Sequence, residues 1–130
     1  MGLMSVLAAA FASYAFGAAW YMILSRPWAA ASGVTVDRDG KPVMKTPLPF
    51  IIAFVAAVLA AGMMRHIFAT SGVEGFWEGL VSGFGLGLFI AAPWLLTCYA
   101  FADRPERLML IDGGYATIGS TIMGGVLTLF

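Results

Sequence analysis

The chain has 130 residues, of which 61% are hydrophobic and 11% are charged, and its formal net charge is zero. Soluble domains are about 45–50% apolar and about 25% charged, so this composition excludes an ordinary soluble domain. The aromatic content of 14% also excludes a disordered chain. The seven basic and seven acidic residues fall into short clusters between long apolar stretches, which predicts an integral membrane protein.

Four apolar stretches are long enough to cross a membrane, since a helix needs about 20 apolar residues to span about 30 Å of hydrocarbon. They cover residues 3–24, 48–67, 76–101 and 108–130. Their hydrophobicity is continuous and does not alternate as membrane β-barrel strands require. We therefore expect one all-α domain over residues 1–130, an integral membrane four-helix bundle. Pro93 should kink the third span because it lacks a backbone N–H.

The basic residues predict the orientation of these spans. Six of the seven Lys and Arg residues lie in the loops that follow the first and third spans, and only Arg65 lies on the opposite side. Because loops rich in Lys and Arg remain in the cytoplasm, we predict that both termini are extracytoplasmic. The first span lacks the preceding basic residues of a cleaved secretory signal, so we expect it to be retained as a helix.

The loop at 25–47 is the one segment with a water-soluble composition. Within it, Asp39-Gly40 lies between β-forming residues, a pattern typical of a short hairpin over 34–43. An irregular loop on the membrane surface fits the same composition equally well.

Small residues recur every fourth position along the third span, and such stripes allow close approach of helix backbones in lipid. The stripe comprises Gly75, Gly79, Gly83 and Gly87. Comparable ladders of small residues lie on the other three spans. The favoured interpretation is that these stripes form the interior of one monomer. The alternative assigns the stripe of the third span to a homodimer or to a membrane-protein partner.

Four ionisable residues meet at the predicted outer surface, where Arg65 and His66 end the second span and Glu74 and Glu78 begin the third. One histidine with two carboxylates could hold a metal ion as a facial triad, or bind a proton. The favoured interpretation is that these residues lie at the membrane–water interface and have no chemical role. Carboxylates near a helix N-terminus are stabilised by the helix dipole and would pair loosely with Arg65, so we predict no metal site.

Asp112 lies inside the fourth span and is followed by two glycines and Tyr115. Ionisable residues within the hydrocarbon are costly and usually functional. The carboxylate could pair with Arg26 or Arg107 and fasten the cytoplasmic end of the bundle, which is the favoured interpretation. It could instead hold a cationic ligand at the bottom of a polar cavity, where the glycines would allow close approach. Asp112 and Tyr115 are therefore candidate ligand-contact residues.

Enzyme chemistry has little support in the sequence. The single cysteine, Cys98, lies on the inner half of its span and His66 on the outer side, so no nucleophile has a neighbouring base. No phosphate-binding loop, dinucleotide fingerprint or zinc motif occurs. We expect no catalytic residues and no cofactor. The basic loop is too sparse for nucleic acid but would favour anionic membrane lipids.

Three features resemble a known family: Trp20-Tyr21 at the end of the first span, Trp28 shortly after it, and the stretch 107–115, Arg-Leu-Met-Leu-Ile-Asp-Gly-Gly-Tyr. They resemble a bacterial membrane family catalogued as domain of unknown function 1761, over nearly the whole chain. The segment 34–43 matches least. The resemblance implies a multi-pass protein of the bacterial inner membrane with no assigned activity, and it carries over no catalytic residue.

Two functions are compatible with these features. The first is a non-enzymatic accessory subunit, or a binder of lipid or a hydrophobic small molecule. The second is a small oligomeric transporter or channel whose path runs near Asp112.

Overall fold

The computed structural model describes residues 2–130, and over this range the predicted all-α class is confirmed. The helices are α1 (Gly2–Ile23), α2 (Ser25–Ser32), α3 (Leu48–Ser71), α4 (Phe76–Leu86), α5 (Ala92–Phe101) and α6 (Glu106–Leu127). A π-helical segment, Gly87–Ala91, joins α4 to α5, so that residues 76–101 form one continuous helical rod.

Three helices are long and apolar enough to cross a membrane: α1, α3 and the rod of residues 76–101. The fourth predicted span corresponds to α6, which has 22 residues but is less apolar because it contains five glycines and Asp112. Ten of its residues are buried, against four of 24 in α3. Nearly half of α6 is therefore covered by the other helices, whereas most of α3 faces outward.

The helices form a row in which α1 and α6 are central. Helix α3 packs mainly on α1, and the rod of residues 76–101 packs on α6. Helix α6 runs antiparallel to α1. Near its start it contacts Trp20 and Tyr21, and near its end Leu127 lines a cavity together with Ser5. We call the end with Trp20, Tyr21 and the start of α6 the Asp112 end of the bundle. The end with Ser5 and Leu127 is the Arg65 end.

Small side chains dominate the interior. Ala9, Ala10 and Ala61 are completely buried, whereas many large apolar side chains, such as those of Leu59 and Phe89, are exposed. This distribution is typical of helices in lipid, where close backbone approach and not removal of apolar surface from water holds helices together.

The glycine stripe of the third span faces α6. A Cβ atom on Gly79 would lie 2.5 Å from the carbonyl oxygen of Gly124, and one on Gly87 would lie 2.7 Å from Cα of Thr117. A Cβ on Gly83 would overlap the backbone of Ser120. Three of the four residues are therefore covered by α6 and are not open to a second copy. Gly75 instead precedes α4 as its N-cap.

The irregularity expected at Pro93 takes the form of the π segment on its N-terminal side. The N–H of Ala92 donates to the carbonyl of Gly87, five residues back. Pro93 has no N–H to donate, and the π turn directly before it is the local irregularity of this helix. The kink itself stays a prediction.

The loop at 25–47 contains a helix that the sequence analysis missed, α2, which ends at Gly33 in the left-handed conformation (φ 77°). The edge-on contact of Trp28 with Tyr21, with ring centroids 5.8 Å apart, holds α2 against the end of α1. The predicted hairpin is reduced to one antiparallel bridge between Val36 and Pro42. The rest of the loop is irregular, in agreement with the alternative prediction.

Candidate functional site

Asp112 is buried at the Asp112 end of the bundle and is held by two tyrosines. The hydroxyl of Tyr21 on α1 donates to Oδ1, and that of Tyr99 on α5 donates to Oδ2, each at 2.5 Å. One side chain of α6 is thus joined to the helices on both sides of it.

These donors correct the pairing that was favoured for Asp112. Within residues 2–130, its hydrogen bonds come from the two tyrosines and not from Arg26 or Arg107. Both carboxylate oxygens are already bound by side chains of the protein. The contacts of Asp112 with neighbouring helices are thus made through neutral hydroxyls, in place of the predicted ion pair.

Aromatic side chains surround this carboxylate. The ring of Tyr115 lies edge-on to that of Tyr21, with centroids 5.3 Å apart, and packs over Gly17, where a Cβ would lie 2.6 Å from the ring. Trp20 donates from Nε1 to the carbonyl of Ile111 at 3.0 Å. A Cβ on Gly114 would lie 2.9 Å from the Trp20 indole. Gly114 thus makes room for the Trp20 ring and not for a ligand.

The hydrogen bonds of Tyr21 and Tyr99 to Asp112 were not predicted from the sequence. The available signal was topological. Tyr21 lies in the last turn of the first span, Tyr99 in the last turn of the third, and Asp112 near the start of the fourth. All three therefore reach the same end of an antiparallel bundle.

Two threonine hydroxyls of α6 are satisfied within their own helix. Thr117 donates to the carbonyl of Gly113, and Thr121 donates to that of Thr117. Threonines in membrane helices commonly satisfy their hydroxyls on their own helix in this way.

At the Arg65 end, the guanidinium of Arg65 crosses from α3 to α1. Its Nε donates to the hydroxyl of Ser5 at 3.0 Å, and Ser5 in turn donates to the carbonyl of Gly2. Ser5 is almost completely buried. The hydrogen bond of Arg65 is thus made with a serine and not with a carboxylate, which corrects the predicted pairing with Glu74 or Glu78.

The structure does not bring the suggested metal ligands together. Across residues 2–130, no three His, Cys, Asp or Glu side chains lie close enough to hold a metal ion. His66 is exposed on α3, and Glu74 and Glu78 are exposed at the start of the next helix. The facial-triad alternative for these three residues therefore has no geometric support.

Two openings lie beside Arg65. The first is a cavity of about 230 Å³ between the ends of α3 and α6, and Glu74 also lines it. The second is a groove of about 580 Å³ on the surface between α1 and α3. We call it the α1–α3 groove. Its walls are apolar except at one end, and they comprise Gly2, Leu3, Val6, Val58, Leu59, Gly62, Met63, Arg65 and His66.

The fold defines a class: a helical protein with three helices able to cross a membrane and a polar contact buried between them. Residues 4–128 match the model of the family described as "Protein of unknown function (DUF1761)". The chain therefore belongs to this family, as the resemblance of the Trp20-Tyr21 and 107–115 segments predicted. No curated protein and no solved structure matches the chain.

Proposed function

We propose that this chain is a non-enzymatic multi-pass membrane protein that binds a hydrophobic molecule in the α1–α3 groove. The groove itself is the observation that carries the proposal. It is a shallow depression of about 580 Å³ that is open along most of its extent to the surroundings of the helices. Its walls are formed by apolar side chains such as Val6, Val58 and Met63. A membrane lipid or another hydrophobic molecule has the matching chemistry.

The proposal includes four crossings, both termini outside, and a location in the bacterial inner membrane. The antiparallel course of α6 supports the fourth crossing, because α6 extends from Tyr21 near the end of α1 to the level of Ser5 near its start. If α1 crosses the membrane, a helix that runs beside it over this length crosses too. The distribution of Lys and Arg supports the orientation.

A matched pair of glycine variants tests the groove. Gly62 lines the groove, and a Cβ there would meet no atom within 4 Å. Gly62→Leu should therefore place an apolar side chain in the groove without a clash at Cβ. Gly85 on α4 is equally open but lies outside the groove, so Gly85→Leu is the control.

The measurement is native mass spectrometry of the protein released from mild detergent. We expect co-purified lipid or another hydrophobic adduct on the wild type and on Gly85→Leu, and its loss from Gly62→Leu. Equal adducts on both variants, or none on the wild type, would contradict the proposal.

The second candidate is an oligomeric transporter or channel with a path near Asp112. The burial of a carboxylate among helices supports it, since such residues commonly mark ion pathways. It has less support than the groove because both oxygens of Asp112 and the hydroxyls of Thr117 and Thr121 are engaged within the bundle. Flux into liposomes that disappears in Asp112→Asn would favour this function over the first.

A further inference from the structure

We infer that the occupant of the α1–α3 groove is an anionic phospholipid whose phosphate is held by Arg65. This inference rests on the proposed function, because it names the class of molecule that the groove takes. Its basis is the charge at one end of an otherwise apolar groove, where Arg65 and the exposed His66 lie side by side.

The position of Arg65 brings its guanidinium to the end of the bundle, at the level where lipid headgroups would lie. Arg65 lies six residues before α3 ends at Ser71, but its side chain reaches the first residue of α1, where a Cβ on Gly2 would lie 3.4 Å from Cζ of Arg65. Long basic side chains near the ends of membrane helices extend to the interface in this way.

No carboxylate within the described chain neutralises Arg65. Its Nε is hydrogen-bonded to Ser5, a neutral partner, and Glu74 lines the adjoining cavity without forming an ion pair with it. The terminal guanidinium nitrogens can therefore bind a phosphate, for which the planar fork is well suited.

The groove extends from Arg65 toward the middle of α3, over seven residues or about 10 Å of the helix axis, which is long enough for the first part of an acyl chain. From Arg65 it continues past Met63 and Gly62 to Leu59 and Val58, which lie progressively farther from the end of α3. A headgroup phosphate on Arg65 would thus leave an acyl chain lying along the apolar walls, in the direction of the membrane interior.

Ser5 acts as a positioning residue in this arrangement. It is 2% exposed and fixes the guanidinium across the α1–α3 contact by accepting from Nε while donating to the carbonyl of Gly2. An arginine that is already held in place loses less conformational freedom when it binds an anion.

The test compares phosphatidylglycerol with phosphatidylcholine of identical acyl chains, titrated onto the full-length protein and followed by native mass spectrometry. We expect the wild type to prefer phosphatidylglycerol by about fivefold, the factor that corresponds to ~1 kcal/mol for one arginine near anionic lipid. Arg65→Gln should abolish this preference while phosphatidylcholine still binds. Arg65→Lys should retain part of it because the charge remains. Arg107→Gln, which removes an exposed cation at the opposite end of the bundle, is the control and should retain all of it.

The outcomes separate this inference from the proposed function. Equal binding of both lipids by the wild type, sensitive to Gly62→Leu, would overturn the choice of an anionic lipid and leave the groove as a lipid site. A preference that survives Arg65→Gln would overturn the role of Arg65. If soluble glycerol phosphate displaced phosphatidylglycerol as well as an intact lipid does, the site would bind phosphate without the acyl chain. That result would overturn the choice of a lipid. Absence of any lipid would overturn both proposals.

Discussion

Asp112 shows how one polar residue can organise a bundle made mainly of apolar helices. Buried side-chain oxygens require hydrogen-bond partners when water is absent. Tyr21 and Tyr99 supply one donor each. A tyrosine provides such a donor on a large apolar ring, which can also pack against neighbouring helices.

We expect Tyr21→Phe and Tyr99→Phe each to lower the free energy of unfolding by about 1–2 kcal/mol. This value lies between the average of ~0.6 kcal/mol for side-chain hydrogen bonds in membranes and the ~1.5–3 kcal/mol for bonds to charged groups. The double variant should lose more than the sum, because the carboxylate then has no donor. Reversible unfolding in mixed micelles, followed by circular dichroism, measures all three.

Tyr14→Phe is the matched control for these variants. The Tyr14 ring lies edge-on to Phe54, with centroids 5.4 Å apart, and the hydrogen bonds of the described residues do not include its hydroxyl. Its removal should leave the stability unchanged. A loss equal to that of Tyr21→Phe would mean that the tyrosines stabilise the bundle through general polarity and not through Asp112.

Among the elements, α6 differs most from an ordinary membrane span. Its glycines allow α4 to approach closely on one side, and they accommodate aromatic rings of α1 on the other. The backbones of Gly79 and Gly124 are close enough that neither residue could carry a Cβ without a shift. The small residues that lower the hydropathy of α6 are therefore the ones that allow it to occupy the centre.

We expect Gly83→Ala to destabilise the contact between α4 and α6 by about 1–3 kcal/mol, the usual effect of overpacking. The added methyl would overlap the Ser120 backbone, which cannot rotate away as a side chain could. The same unfolding measurement applies. Gly85→Ala, two residues along the same helix, is the control.

For Gly85→Ala we expect no loss, and a gain of up to ~1 kcal/mol, because alanine is the better helix former and the site is open. If both alanine variants behaved alike, helix propensity and not close approach of the backbones would decide the stability of this region.

For the whole molecule, the antiparallel neighbours of α6 connect the packing with the membrane topology. Helix α6 runs beside α1 and beside the rod of residues 76–101. These three elements therefore extend over the same distance along the bundle axis. The exposed large side chains around them, such as those of Phe11 and Trp94, are suited to lipid. Polar contacts are gathered at the two ends, around Asp112 and around Arg65.

The predicted topology can be tested by single cysteines in a Cys98→Ser background, labelled on intact cells with a membrane-impermeant thiol reagent. We expect labelling of Ser71→Cys and Leu129→Cys but protection of Asp39→Cys, all three positions being exposed. After cell lysis, Asp39→Cys should become labelled, which controls for reactivity. Protection of Leu129→Cys together with labelling of Ser71→Cys would show that α6 does not cross.

Several features of this protein could be predicted from its residues. Long apolar stretches made the helices predictable because the backbone in hydrocarbon must satisfy its own hydrogen bonds. The spacing of small residues in the third span indicated a close helix contact, and the 107–115 segment indicated the family. The short helix α2 was missed because its composition is that of a water-soluble loop.

The sequence by itself thus determined the helices, the predicted membrane setting and the family, because these depend on local composition and short motifs. Only the tertiary structure decided which polar groups meet. Tyr21 and Asp112 are 91 residues apart, and Ser5 and Arg65 are 60 apart. Such pairs depend on how each helix is rotated about its axis. In a helix that is apolar on nearly all sides, hydrophobic periodicity does not fix that rotation, so contacts between small residues and a few hydrogen bonds must fix it.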